Sequence, residues 1–193
     1  MVVRLARVED APAMARVTVD TFLSAHRGQM PEATWTKRKE EWTYEVSEHS
    51  WARTLREIAE GARPEECIYV ALDEAGEVVG LAVGGTPRAD GPEDTGEIHM
   101  LYVRPSHQGR GHGRRLVRAV AAHLAQRGRR ALVIGCLAAD EPARRFYEAL
   151  GGRLIGEREF DEEGVMLPEV VYGWADTQAL IAAGSAEPSE RHR

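Results

Sequence analysis

The sequence predicts an α/β (α+β) domain, and three features of the 193-residue chain carry that expectation. Short apolar runs of strand character recur at Cys67–Leu72, 78–84, 97–103 and Ala131–Leu137, and they alternate with stretches of helical period. Gly, Pro and acidic turn residues bound most of these runs. A glycine loop, Gln108-Gly109-Arg110-Gly111-His112-Gly113, joins one strand to one helix.

In order, residues 2–8 read as a first strand. Glu9-Asp10-Ala11-Pro12 reads as a helix start with acid and proline in the first turn, leading to a helix that runs to about Ser24. Residues 32–60 lack Gly and Pro and space Trp35, Trp42, Val46, Trp51, Leu55 and Ile58 as one broken helix or two consecutive ones, ended by Gly61. Asp73-Glu74-Ala75-Gly76-Glu77 joins two apolar runs as a hairpin, and 86–96 is a surface loop. Residues 97–103 form a strand stopped by Pro105, and period-two alternation puts Glu97, His99, Leu101 and Val103 on one face. A helix from about Arg114 buries Leu116, Val117, Val120, Ala121 and Leu124 and ends near Gly128. A buried strand (Ala131–Leu137), a short helix (141–150) and two strands (153–160 and 169–174) complete a single domain over 1–175. Residues 176–193 are a C-terminal tail, without expected order from about 184.

A chain of this length buries roughly 70% of its unfolded surface, enough for one sizeable core. The absence of a charged leader with an apolar core points to a cytoplasmic protein. No apolar stretch approaches the ~20 residues that span a bilayer, so no membrane partner is expected. Cys67 and Cys136 lack metal-ligand spacing and read as simple thiols, and no metal is expected. The charge is informative. The chain has 25 basic and 31 acidic groups, yet residues 104–130 hold eight arginines and no acid, leaving 17 basic against 31 acidic elsewhere, a balance of −14. Local positive charge on an acidic protein suits a discrete phosphate site and speaks against a nucleic-acid surface.

The glycine loop matches neither dinucleotide motif. A Rossmann loop needs glycine where Arg114 stands and an acid about 20 residues on, and a Walker loop needs a Gly-Lys-Ser/Thr end. Taken together, Leu101-Tyr102-Val103-Arg104-Pro105, then Gln108-x-x-Gly111-x-Gly113, then Ala143-x-x-Phe146-Tyr147-x-x-x-Gly151 resemble the acetyl-coenzyme A signature of the GNAT superfamily of N-acetyltransferases. The resemblance implies a mixed, mostly antiparallel sheet flanked by helices, with two central strands splayed to take the cofactor's pantetheine arm.

It further implies that acetyl-coenzyme A is the cosubstrate. Backbone groups of Leu101 and Val103 would hold its amides, and the N–H groups from Gly109 through Arg110, Gly111 and Gly113 to Arg114 its pyrophosphate, with Gln108 leading into the loop. Arg110, Arg114 and Arg115 are candidates for the outer phosphate. The chemistry needs a neutral amine, and an alkyl ammonium with a pKa of about 10.4 must lose a proton to a base. Glu97 stands where many members of the family carry that base, with His99 as the alternative. Tyr147 aligns with the tyrosine that protonates the departing thiolate. The family commonly has asparagine where this chain has Asp140, whose role becomes that of a helix cap. The expected activity is direct acetyl transfer to an amine of a small molecule or peptide. A non-catalytic acyl-coenzyme A sensor or scaffold and a transferase of longer acyl groups are the alternatives, and a homodimer is left open. Trp35, Trp42, Tyr44 and Trp51 beside Glu40, Glu41, Glu45 and Glu48 would suit a cationic acceptor.

Overall fold

The computed structural model describes residues 2–89 and 91–182, so the tail expected from 184 lies outside the described residues. Seven strands form one sheet in the order β1-β2-β3-β4-β5-β7-β6. They are β1 (Val2–Leu5), β2 (Cys67–Leu72), β3 (Val78–Gly85), β4 (Thr95–Val103), β5 (Ala131–Leu137), β6 (Arg153–Glu162) and β7 (Val165–Trp174). Every neighbouring pair is antiparallel except β4 and β5. A parallel pair requires a crossover, and α4 (His112–Gln126) supplies it.

The predicted apolar stripe of α4 is the core of one face. Leu116, Val117, Val120 and Ala121 are fully buried and Leu124 nearly so, against Ile98, Val103, Leu132 and Ile134 of the sheet. Each such side chain contributes about 1.5–3 kcal/mol relative to exposure. The opposite face carries α1 (Ala11–Ala25) and α3 (Tyr44–Ala59), whose Met14, Val17 and Leu55 pack on Ile68, Val70 and Leu81. Residues 32–60 are indeed two helices, α2 (Glu32–Glu41) and α3, and the break falls at Trp42-Thr43, where the Thr43 hydroxyl caps α3 by accepting from the Val46 N–H.

Three expectations change. The first strand ends at Leu5, because the Asp10 carboxylate gathers the Arg4 guanidinium at 2.7 Å and the Arg7 N–H at 2.8 Å and folds Val8–Asp10 into a short 3-10 turn. β6 and β7 run longer than predicted and meet in a tight hairpin at Glu163 and Gly164, both with positive φ, where Asp161 accepts from the Gly164 N–H at 2.6 Å. Residues read as the start of a tail form α6 (Thr177–Ala182), with Leu180 4% exposed in the core beneath α4.

Candidate functional site

The site follows from where two strands stop pairing. β4 and β5 are hydrogen-bonded neighbours from Thr95/Ala131 to Ile98/Ile134 and no further, so Leu101–Val103 and Cys136–Leu137 part as the arms of a fork. A continuous cavity of about 770 Å³ opens between the arms. Gln108, Gly109, Gly111, Gly113 and Arg114 line one end, Leu101, Tyr102, Val103, Cys136 and Tyr147 the middle, and Phe22, Met30, Phe160, Glu162 and Leu167 the other end.

At the first end, Gly109 and Gly111 take φ of +72° and +84°, values that favour glycine, and Gly111 forms the N-cap of α4. Space around both is open, with no heavy atom within 4 Å of where a Cβ would stand. No acceptor among the described residues takes the backbone N–H groups of 109–114, so six donors and a helix N-terminus stand unpaired at the cavity's end. That arrangement fits a diphosphate. Arg110, Arg114 and Arg115 are exposed and make no ion pair among the described residues, and of the three only Arg114 lines the cavity. Two loop residues also have packing roles within the chain. Gln108 turns its amide back to donate to the Val103 carbonyl at 3.0 Å, which takes one lone pair of a group expected to face the cofactor. Gly113 is small because Phe146 packs there: a Cβ would stand 3.1 Å from its ring.

β4 carries a bulge that the sequence does not show. Its register against β3 shifts between Val83/Met100 and Gly84/Ile98, so one extra residue is absorbed around His99. Ile98, Leu101 and Val103 accordingly pack on the α4 face, while Met100 and Tyr102 pack on the α1 and α3 face. The expectation that Glu97, His99, Leu101 and Val103 share one face is corrected: Glu97 points opposite to Leu101 and Val103. His99 donates its Nε2–H to the Thr86 carbonyl at 2.7 Å, since a carbonyl can only accept.

Glu97 is fully buried and does not line the cavity. Its Oε1 accepts from Arg158 at 2.7 Å and Arg88 Nε at 3.0 Å, and its Oε2 from the Arg88 N–H at 2.7 Å. Burial alone would raise its pKa. The Arg158 and Arg88 hydrogen bonds and charges outweigh that and hold the carboxyl below its ordinary value. Arg158 also grips Glu169 of β7, which crosses the space left by Gly135, where a Cβ would overlap its carboxylate. Glu169 does line the cavity, and so does Arg88. Two acids and two bases thus form one compensated cluster, with Glu97 as its enclosed member and Glu169 as its cavity-facing one. Sequence reasoning missed Arg88, Arg158 and Glu169: Arg88 comes from the loop before β4, nine residues from Glu97, and Arg158 and Glu169 reach the cluster from β6 and β7, Arg158 lying 61 residues from Glu97.

Tyr147 lines the middle of the cavity. α5 (Glu141–Ala149) starts at Asp140, whose carboxylate accepts from the Ala143 N–H at 3.1 Å as the expected cap. The helix aims Tyr147 at the cavity, boxed by Phe146, Tyr172 and Trp174 with ring centroids 5.5, 5.7 and 6.4 Å away. Its hydroxyl makes no hydrogen bond among the described residues, and burial holds it protonated, well above the ordinary tyrosine value. Cys136 also lines the cavity, but burial, then Asp140 and Glu169, push its thiol up to about 12, which leaves almost no thiolate to act as nucleophile.

The tryptophan segment is corrected as well. None of Trp35, Trp42, Tyr44, Trp51, Glu40, Glu41, Glu45 or Glu48 lines the cavity. The three tryptophans pack as structure, with Trp35 and Trp51 donating to the Leu23 carbonyl and the Thr18 hydroxyl, and the four glutamates lie exposed.

No helix among the described residues is long and apolar enough to cross a membrane, and no group of three or more His, Cys, Asp or Glu residues there could hold a metal ion. Comparison with known proteins agrees with the architecture. The chain is 30% identical over 179 residues to the Bacillus subtilis (strain 168) protein YuaI, an uncharacterized N-acetyltransferase, covering 92% of this chain and 95% of that one. It is 28% identical over 113 residues to the spermine/spermidine N(1)-acetyltransferase of the same organism, covering 55% of this chain and 74% of that protein. The crystal structure of a phosphinothricin acetyltransferase from Sinorhizobium meliloti in complex with acetyl-coenzyme A superposes with a TM-score of 0.66 at 21% identity, over 98% of this chain and 94% of that one. Residues 31–152 match the acetyltransferase (GNAT) family, and with this fork, glycine loop and sheet order the chain belongs to it.

Proposed function

We propose that the chain transfers the acetyl group of acetyl-coenzyme A directly to an amine of a small molecule or peptide. The observation that carries the reading is the continuity of one cavity from six unpaired loop N–H groups, past an unpartnered tyrosine hydroxyl, to a chamber on the far side of the fork. The cosubstrate supplies the activated acetyl group. The chain's own residues do the rest. The N–H groups of 109–114 and Arg114 bind and orient the diphosphate, and the parted arms of β4 and β5 receive the pantetheine. Tyr147 gives its hydroxyl proton to the departing sulfur, a role that its burial suits by keeping it protonated.

The amine's proton leaves toward the Glu97–Arg158–Glu169 cluster. Glu97 is the base that the family resemblance implies. Its carboxylate is ionised but enclosed, so a proton reaches it past Arg88 or through the cavity-facing Glu169. Direct transfer, without an acetylated enzyme, is supported by the high pKa of the one thiol in the cavity. A cytoplasmic setting belongs to the same proposal and is supported by two free cysteines. The reading is the same for a monomer or a homodimer.

The test is release of free coenzyme A thiol from acetyl-coenzyme A across a panel of primary amines. Acceptor-dependent release is expected. Tight cofactor binding with no release for any acceptor would favour a sensor or scaffold instead.

A further inference from the structure

The far end of the cavity is a largely apolar chamber with one acid in it, and Thr21, Ser24, His26 and Gln29 add polar groups to its rim. Phe22, Met30, Leu137 and Leu167 are buried there in a single cluster with Tyr102 and Phe160 beside them. Glu162, at the end of β6, lines this chamber and is only 3% exposed. Its nearest cation is Arg38, with Nε 2.9 Å from Glu162 Oε1, but neither atom makes an aligned hydrogen bond. Arg38 is shared: its Nη1 donates to Glu163 at 2.9 Å, and its guanidinium lies over the rings of Trp42 and Phe22. Burial accordingly pushes the Glu162 carboxyl up in spite of Arg38. A second buried oxygen in the cavity wall, Thr21 Oγ1, also lacks a partner among the described residues.

Oε1 is taken up by the ion pair with Arg38, while Oε2 accepts no hydrogen bond among the described residues, and a buried carboxylate oxygen without a donor is costly. The chamber's largely apolar wall favours an acceptor with an apolar stretch, and its acid disfavours one that brings a carboxylate. Of the two arginines on the cavity wall, Arg114 stands at the glycine loop and Arg88 is already engaged by Glu97.

Resting on the acetyltransferase reading, we propose that the acceptor is an amine carrying a second cationic group beyond an apolar stretch, and that Glu162 binds that second cation. The reacting amine then lies toward Tyr147 while the apolar stretch fills the space between Phe22 and Leu167. Glu162 sets specificity through binding and takes no part in the proton transfers.

The experiment compares kcat/KM for n-alkylamines and α,ω-diaminoalkanes of equal carbon number. A charge-assisted hydrogen bond in a desolvated site predicts a preference of about ten- to a hundredfold for the diamine at the fitting length, beyond the statistical factor of two equivalent amines. Glu162→Gln should collapse that ratio toward unity through KM, while acetyl-coenzyme A still raises the variant's Tm and so reports an intact fold. The wild-type comparison needs no variant and decides on its own: equal kcat/KM for both members at every length overturns the proposal while leaving the acetyltransferase reading in place. A preference that survives intact in Glu162→Gln overturns Glu162 as its source. Acetylation of neither series nor of any other amine overturns both.

Discussion

Arg158 on β6 reaches past β7 to set its guanidinium 2.7 Å from Glu97 on β4, and on the way it pairs with Glu169. This one side chain ties together the strands on either side of β5, where the fork opens. Arg158→Ala leaves Glu169 without its main partner and Glu97 with Arg88 alone, and losing one partner of a buried pair costs about 3–5 kcal/mol. A urea midpoint that drops with unchanged slope is the expected outcome. A loss below about 0.5 kcal/mol, the scale of ordinary surface changes, would show that the cluster adds no stability.

Glu97 also makes stability depend on acid. Its folded pKa lies below the ordinary value of 4.5, so its contribution is complete above that value and is lost as pH falls through the folded one. Between neutral pH and about pH 3, Tm should fall less steeply in Glu97→Gln than in the wild type. Parallel slopes would refute a depressed pKa.

The same cluster is where the amine's proton is expected to go. Glu97→Gln and Glu169→Gln should each lower kcat/KM at neutral pH, with a loss that shrinks as pH approaches the amine's own pKa and the substrate arrives neutral. If only Glu169→Gln shows this pH dependence, the cavity-facing carboxylate is the base and Glu97 is its support. If neither does, the route runs through His99 or water.

Tyr147→Phe keeps the ring within its box of Phe146, Tyr172 and Trp174 and deletes the donor. Single-turnover rates should fall by about 10²–10⁴-fold with cofactor affinity nearly unchanged. An unchanged rate assigns Tyr147 to packing alone.

Acetyl-coenzyme A at a hundredfold excess over Kd should stabilise the fold by about 2.7 kcal/mol, and NAD or ATP by much less. Gly111→Val should abolish the shift, because φ of +84° is strained for a β-branched residue and its side chain would fill the open space before the N–H groups. A folded variant with the shift intact would remove the glycine loop from the cofactor site.

The helices and strands were legible because each is a local pattern. The stripe from Leu116 to Leu124 and the apolar run of β5 specify their own period, and the Gly109 and Gly111 turns needed no distant partner. The same locality exposed the motif from Leu101 to Gly151, which named the family and placed Tyr147 and the loop. What the sequence could not show depends on groups far apart in it. The bulge at His99 is a mismatch of register between β3 and β4, and it turned Glu97 away from Leu101. Arg158, which encloses Glu97 together with the nearby Arg88, and the acid that shares Arg158 with it are met only across the sheet. Electrostatic environment is a property of neighbours in space, so the carboxylate's identity was fixed by sequence while its protonation, exposure and reach were decided by tertiary structure. So too for the acceptor: tryptophans and glutamates adjacent in sequence proved to be packing and solvent-facing surface, whereas Glu162 and Phe22, 140 positions apart, came to line one chamber.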